Sequence, residues 1–378
     1  MCMIPLFVYV SNVQAQWVSD SLFDARTRKG INYIYNLEFD KARDEFQQLT
    51  KTKPSHPAGH FFLAMIEWWR ILIDIDNTAN DEKFYSMLDK VIGICDRLLD
   101  KNENDVTALF FKGGAIGFRG RLRAHREEWL KAANDGRLAL PIVQRAYELA
   151  PNNVDILLGI GIYNYYAEII PEQYPFVKPV MIFFPKGDKK KGVEQLRIAA
   201  EKAKYADIEA SYFLLQIYHN YEKEYNLALP LAQRLHQQFP DNPIFHRYLG
   251  RSFTAVGLWA EMRRTYDEVF HRVQKKDIGY GSASEREAEY YLGLYDMTFN
   301  QWETSLKHFL RSDELSRLLD TDGPSGFMVM ANLKMGMIYD LQKKRDIAAI
   351  QYQKVIKWDD YLESHKIASE YLKKPYGQ

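Results

Sequence analysis

The chain has 378 residues, 47% of them hydrophobic, and its 50 basic and 50 acidic side chains cancel to a formal net charge of zero. That length exceeds what one compact core supports, so the apolar residues must be spread over several domains or along a linear core. The charge balance argues against a broad phosphate-neutralising surface, and no run approaches the roughly 18–20 apolar residues of a membrane-spanning helix.

Residues 3–10 form a short apolar stretch, followed by Ser11-Asn12-Val13-Gln14-Ala15 and then Gln16-Trp17. The pattern has the form of the end of a secretory signal cleaved after Ala15, although residues 1–15 contain no Lys or Arg. The expectation is export to a bacterial envelope, hence the periplasm, with a cytoplasmic location if the segment is not a signal. Cys2 and Cys95 are the two cysteines, and Cys2 has no upstream lipobox. Cys95 shares a helical spacing with Ile92, Leu98 and Leu99 and reads as a packed structural thiol.

Residues 22–55 read as two helices meeting near 37–40: Gly30-x2-Tyr33, then Ala42-x3-Phe46, then Pro54. Gly30 and Ala42 are small where the helices should touch, and Tyr33 and Phe46 fill the adjoining gaps. Pro54 ends the second helix by removing a backbone donor. A second pair has its first helix near 57–73, with Phe61, Leu63, Met65, Trp68 and Trp69, then a polar insert near 74–84 and a helix ending near Leu99. The third begins at Asp105 with Leu109, Gly113 and Ile116; residues 119–136 read as an insert before Ala139, Val143, Ala146 and Pro151. The fourth runs through Leu157, Gly161 and Tyr165, breaks at 171–188, and resumes with Gly192, Leu196 and Ala199. Leu215, Ala228, Ala232, Leu235 and Pro240 mark the fifth. Then come Leu249-Gly250-x2-Phe253, Leu292-Gly293 with Ser305-x3-Phe309, and Met335-Gly336-x2-Tyr339 with Ala348-x3-Tyr352. Gly250, Gly293 and Gly336 are 43 residues apart, which predicts a loop nine residues longer than a 34-residue unit needs. Residues 361–378 read as a polar-faced capping helix closing the open end.

In both end copies the Gly and the Ala stand twelve residues apart. This pattern, Leu-Gly-x2-Tyr … Ala-x3-Phe … Pro, resembles the tetratricopeptide-repeat (TPR) superfamily over residues 17–375. The resemblance implies an all-α, right-handed superhelical α-solenoid of about eight TPR-like helix pairs over residues 16–360, with inserts and a C-terminal capping helix. A shorter stretch, Gly159-x-Gly161, Pro171, Gly187-Asp188, Gly192 and Leu196, is similar to the eukaryotic inclusion-body-clearance family of such proteins.

In the superfamily the first helix of each pair lines the concave face. The matching positions are Tyr35, Phe61, Met65, Trp68, Trp69, Phe110, Gly114 and Phe118, then Leu158, Ile162, Tyr165, Tyr166, Phe213, Ile217, Asn220 and Tyr221. Such a surface accepts an apolar or aromatic peptide, or a helix laid in the groove. The alternative is that the same stripe is core, because both need helical spacing. Arg247, Arg251 and Thr254, with Glu287 and Tyr290, would line the later units, as contacts for a carboxylate-bearing tail or as a solvated face. Arg119, Arg121, Arg123 and Arg126 form a second candidate anion site, against a basic face neutralised by Glu127, Glu128 and neighbours. The apolar, Pro-rich insert 171–188 reads as a lid, a membrane or partner contact, or plain packing.

Chemistry-bearing motifs are missing from the sequence. It has no Gly-x4-Gly-Lys-Ser/Thr, no His-Glu-x2-His and no Cys pair for zinc. Asp74-x-Asp76-x-Thr78-x-Asn80 lacks the turn Gly and closing Glu of a calcium loop. The expectation is a non-enzymatic scaffold without cofactor or metal that binds a protein or peptide partner and not nucleic acid. It has no transmembrane span and at most a peripheral association with the envelope. Binding of an acyl chain or other small apolar ligand beneath residues 171–187 is the alternative.

Overall fold

The computed structural model describes residues 20–181, 184–321 and 323–378; the candidate signal segment lies outside them. Every regular element among the described residues is helical. The chain divides into two compact units, the first ending at Ile217 and the second beginning at Tyr218, a division that falls inside the fifth pair of the expected stack.

Unit 1 contains α1 (Ser21–Tyr35), α2 (Phe39–Thr52), α3 (Pro57–Ile73), α4 (Asp81–Leu99), α5 (Val106–His125), α6 (Trp129–Leu149) and α7 (Ile156–Gln173). A 3-10 turn at Pro175–Val177, the short α8 (Lys178–Met181), α9 (Lys189–Lys202) and α10 (Asp207–Gln216) complete it. A π-helical turn, Ile217–Tyr221, carries the chain across the division. Unit 2 contains α11 (Tyr225–Gln238), α12 (Pro243–Ala255), α13 (Trp259–Lys275), α14 (Ser282–Thr298), α15 (Trp302–Leu319), α16 (Gly326–Leu341), α17 (Arg345–Lys357) and α18 (Ser364–Lys373). Within each unit successive helices pack against one another, as expected for a stack of TPR-like helix pairs.

Short polar side chains start the first helix of several pairs. Asp20 accepts from the Leu22 and Phe23 amides, Asp105 from Ala108, and Asn242 from Ile244 and Phe245. Pro57 and Pro243 occupy the first turn, where a missing N–H costs nothing.

Small residues let the paired helices close. A Cβ on Gly30, Gly250 or Gly336 would sit 2.4–2.6 Å from the ring of Phe46, Tyr266 or Tyr352 respectively. Those are the Gly and aromatic positions of the repeat, so the spacing read in the sequence is a direct helix-to-helix contact. The tight turns inside the pairs share a second device. Leu37, Glu127, Lys223, Gly257, Asn300 and Lys343 all have left-handed φ of 57–75°. The amide after each reaches back to a first-helix carbonyl: Glu38 to Tyr33, Leu258 to Phe253 and Lys344 to Tyr339, each at 2.8–2.9 Å.

Two expectations change in detail. Residues 119–136 are not an insert; they are the lengthened ends of α5 and α6, joined by a tight turn at 126–128. The nine extra residues between later repeats are not all loop, because α13 and α15 run to 17 and 18 residues against 14 in α11.

Candidate binding surface

Five first helices of unit 1 (α1, α3, α5, α7 and α10) bring their inward side chains together. Tyr35 meets the Trp69 ring edge-on at 4.9 Å, and Trp69 meets Tyr212 at 5.9 Å. Glu209 on α10 accepts from Tyr35 Oη at 3.0 Å and from Arg121 Nη1 at 2.9 Å. The Arg121 guanidinium also lies over two rings, Trp68 at 4.9 Å and Phe213 at 4.3 Å. Burial, and then the Glu209 charge, push the Tyr35 hydroxyl well above its ordinary pKa, so it stays a donor.

This convergence relocates much of the expected groove lining. Tyr35, Phe61, Trp68, Trp69, Tyr165 and Phe213 are buried, so their side chains are core shared by several helices rather than an open wall. Phe61 packs on Phe111 and Phe118, and Trp68 stacks on Phe84. Phe110, Phe118, Tyr166 and Tyr221 keep partial exposure. Periodicity could not separate the two cases, because a groove and a filled interior select the same residues.

The arginine cluster is also compensated from within. Arg119 donates to Asp135 and Asp89, Arg123 to Asp135, and Arg126 to Asp81 and the Ile75 carbonyl. The basic face is neutralised, as the alternative reading expects, but by Asp135, Asp89, Asp81 and Glu209 rather than by Glu127 and Glu128. These bonds tie α5 to α6, to α4 and to the 74–80 loop, and no guanidinium is left aimed at solvent for an anion.

In unit 2, Arg247 and Arg251 converge on Glu287 of α14, a fully buried carboxylate. Arg251 Nε donates at 2.7 Å, and Tyr266 Oη adds a bond at 3.1 Å. Burial alone would raise the Glu287 pKa; Arg251 and Arg247 outweigh it and hold the carboxyl below its ordinary value. The two arginines are thus already matched to a partner inside the unit.

Outside this pair, α14 and α16 carry several partly buried apolar side chains. Tyr291 and Leu294 of α14 pack with Met330 of α16 against the core formed by Tyr290, Phe309 and Met335. Met330 and Lys334 are four residues apart on α16 and share a face. Lys334 is half-buried, burial pushes its pKa below the ordinary lysine value, and no carboxylate pairs with it among the described residues. Sequence reasoning missed Lys334. The available signal was a lone cation in the apolar run Met328 to Met337, one turn beyond Met330.

No group of three or more metal-binding side chains is found, and no helix is long and apolar enough to cross a membrane, among the described residues. No family model and no curated protein matches the chain. Among solved structures, yeast Tom70 aligns over 90% of this chain and 86% of its own, at 12% identity and a TM-score of 0.39. The human IFIT1 dimer with PPP-AAAA aligns over 95% and 86%, at 12% identity and 0.43. The same dimer with m7Gppp-AAAA aligns over 95% and 87%, at 11% and 0.38. These are loose likenesses of helical repeats and assign no ligand to this chain.

Proposed function

We propose that the protein is a non-enzymatic adaptor that holds a peptide or helix of a protein partner on the first-helix face of unit 2. Tyr291, Leu294 and Met330 supply the apolar contact, and Lys334 takes a carboxylate of the partner. The observation that carries this reading is Lys334: a half-buried ammonium beside partly buried apolar side chains, with no carboxylate partner among the described residues. A buried cation costs free energy until an anion reaches it, so this face favours an acidic or C-terminal ligand over a neutral one. Arg247 and Arg251 support this face through Glu287.

The test is crosslinking mass spectrometry in the native host, comparing wild type with Lys334→Met and Tyr291→Ala. A protein crosslinked to wild type and reduced at least fivefold with both variants supports the reading. One retained equally by both variants places the binding surface elsewhere.

A further inference from the structure

The Pro-rich insert of unit 1 carries a feature that the binding face of unit 2 does not account for. Its base is tied down. Tyr163 Oη donates to the Pro185 carbonyl at 2.6 Å, the Asp188 amide donates to the Asn164 carbonyl at 3.0 Å, and the Lys189 amide donates to Glu168 at 2.8 Å. At its start, Tyr174 and Phe176 are exposed. Trp129, Tyr174 and Phe176 form a knot of three rings with centroids 5.1, 5.8 and 6.0 Å apart. Phe176 is 61% exposed and the neighbouring Leu130 74%. A contiguous exposed cluster of this kind marks an interaction site rather than scattered surface residues.

The charge around it selects the partner. Residues 171–191 contain five lysines against Glu172 and Asp188. Asp188 is occupied in capping α9 through the Lys191 amide. Lys178, Lys186, Lys190 and Lys191 are exposed, and none forms an ion pair among the described residues. By contrast, Arg119, Arg121, Arg123 and Arg126 each meet a carboxylate within unit 1. An unpaired Lys178 two residues from exposed Phe176, with Tyr174 and Leu130 also exposed and further unpaired lysines at the base of the insert, is the chemistry of the bilayer interface. There, aromatic rings settle at headgroup depth and ammonium groups meet lipid phosphates.

We propose that this knob is a peripheral membrane-docking element, seating Leu130, Tyr174 and Phe176 in the headgroup layer of an anionic bilayer. The proposal stands apart from the reading of unit 2, since neither set of residues contributes to the other.

Vesicle flotation of the full chain tests it, with phosphatidylglycerol/phosphatidylcholine vesicles against phosphatidylcholine alone. Wild type is expected to float with the anionic vesicles and to be released by high salt. The variant Leu130→Ser/Phe176→Ser, with an unchanged thermal melt, loses about tenfold or more in partitioning. The variant Lys186→Gln/Lys190→Gln/Lys191→Gln loses about fivefold per lysine on anionic vesicles and nothing on neutral ones. Absence of flotation by wild type overturns the proposal, as does equal flotation of the serine variant. A wild-type dimer that the serine variant converts to monomer, without vesicle binding, also overturns it and gives the knob to a second copy of the chain.

Discussion

Gly192 and Gly117 both stand inside helices, and their surroundings give them opposite roles. At Gly192 of α9 an added Cβ would lie 2.6 Å from the Tyr165 amide nitrogen and 2.8 Å from the Gly161 carbonyl oxygen. Both obstacles are backbone, so the helices themselves must separate. At Gly117 of α5 nothing lies within 4 Å. Gly192→Ala should therefore destabilise unit 1 by about 2–3 kcal/mol through overpacking. Gly117→Ala should be neutral or stabilising by up to about 1 kcal/mol through helix propensity. Urea melts of the two variants check the pair; equal effects would mean that α7 and α9 do not approach as closely as these contacts require. The Gly159, Gly161, Gly187 and Gly192 pattern was visible in the sequence; Gly161 and Gly192 are now explained by the close approach of α7 and α9, and Gly187 by the approach of the preceding loop to α7. Charge partners were less legible. Asp135, which serves both Arg119 and Arg123, lies sixteen and twelve residues away respectively on the next helix, beyond any local charge pattern.

At the scale of elements, α11, α12 and α13 meet around two stacked imidazoles. The His236 and His246 rings lie 4.3 Å apart at 20°. His246 shares a bond of 3.0 Å with Tyr280 Oη, and Glu268, Arg272 and Asp241 surround the pair. Burial lowers both pKa values, that of His246 to about 2, with the neighbouring His236 and Arg272 adding to the effect. A histidine whose folded pKa lies below its unfolded value of about 6.5 favours the unfolded chain once protonated. Stability is therefore full above pH 6.5 and falls on acidification, by up to about 1.4 kcal/mol per pH unit for each imidazole until its folded pKa is reached. Denaturant melts of wild type between pH 7 and 4 should show this slope, and His236→Gln/His246→Gln should reduce it, leaving the part contributed by the other buried histidines, His125 among them. The same slope in both proteins would assign the acid sensitivity to other groups. The pairs themselves were readable because Gly, Ala and aromatic spacing is local. Their turns were not, since Leu37, Glu127, Lys223 and Lys343 are not turn-forming residues. The signal lies in register: Leu37, Lys223, Asn300 and Lys343 each stand five residues before the small residue Ala42, Ala228, Ser305 or Ala348.

At the scale of the whole molecule, unit 1 departs from the simplest behaviour of a linear stack. In such a stack each repeat touches its neighbours alone, and the terminal helix frays independently. Here α1 is bonded to residues far along the chain. Tyr35 donates to Glu209 across 174 positions, and Asp24 accepts from the Tyr205 hydroxyl and pairs with Lys204 at 2.8 Å. Closing so long a loop costs little more than closing a short one, because the entropy grows only with the logarithm of its length. The gain is a buried interior in place of an exposed aromatic groove, which is why the aromatic stripe predicted from spacing became core. The N-terminal and last helices of unit 1 should then open together. Hydrogen exchange should give α1 and α10 the same protection, and Asp24→Ala/Glu209→Ala should accelerate exchange in both while leaving α16 in unit 2 unchanged. If α1 exchanges freely in wild type, or if the variant releases α1 without loosening α10, these contacts do not close the unit and its inner face is open to a ligand.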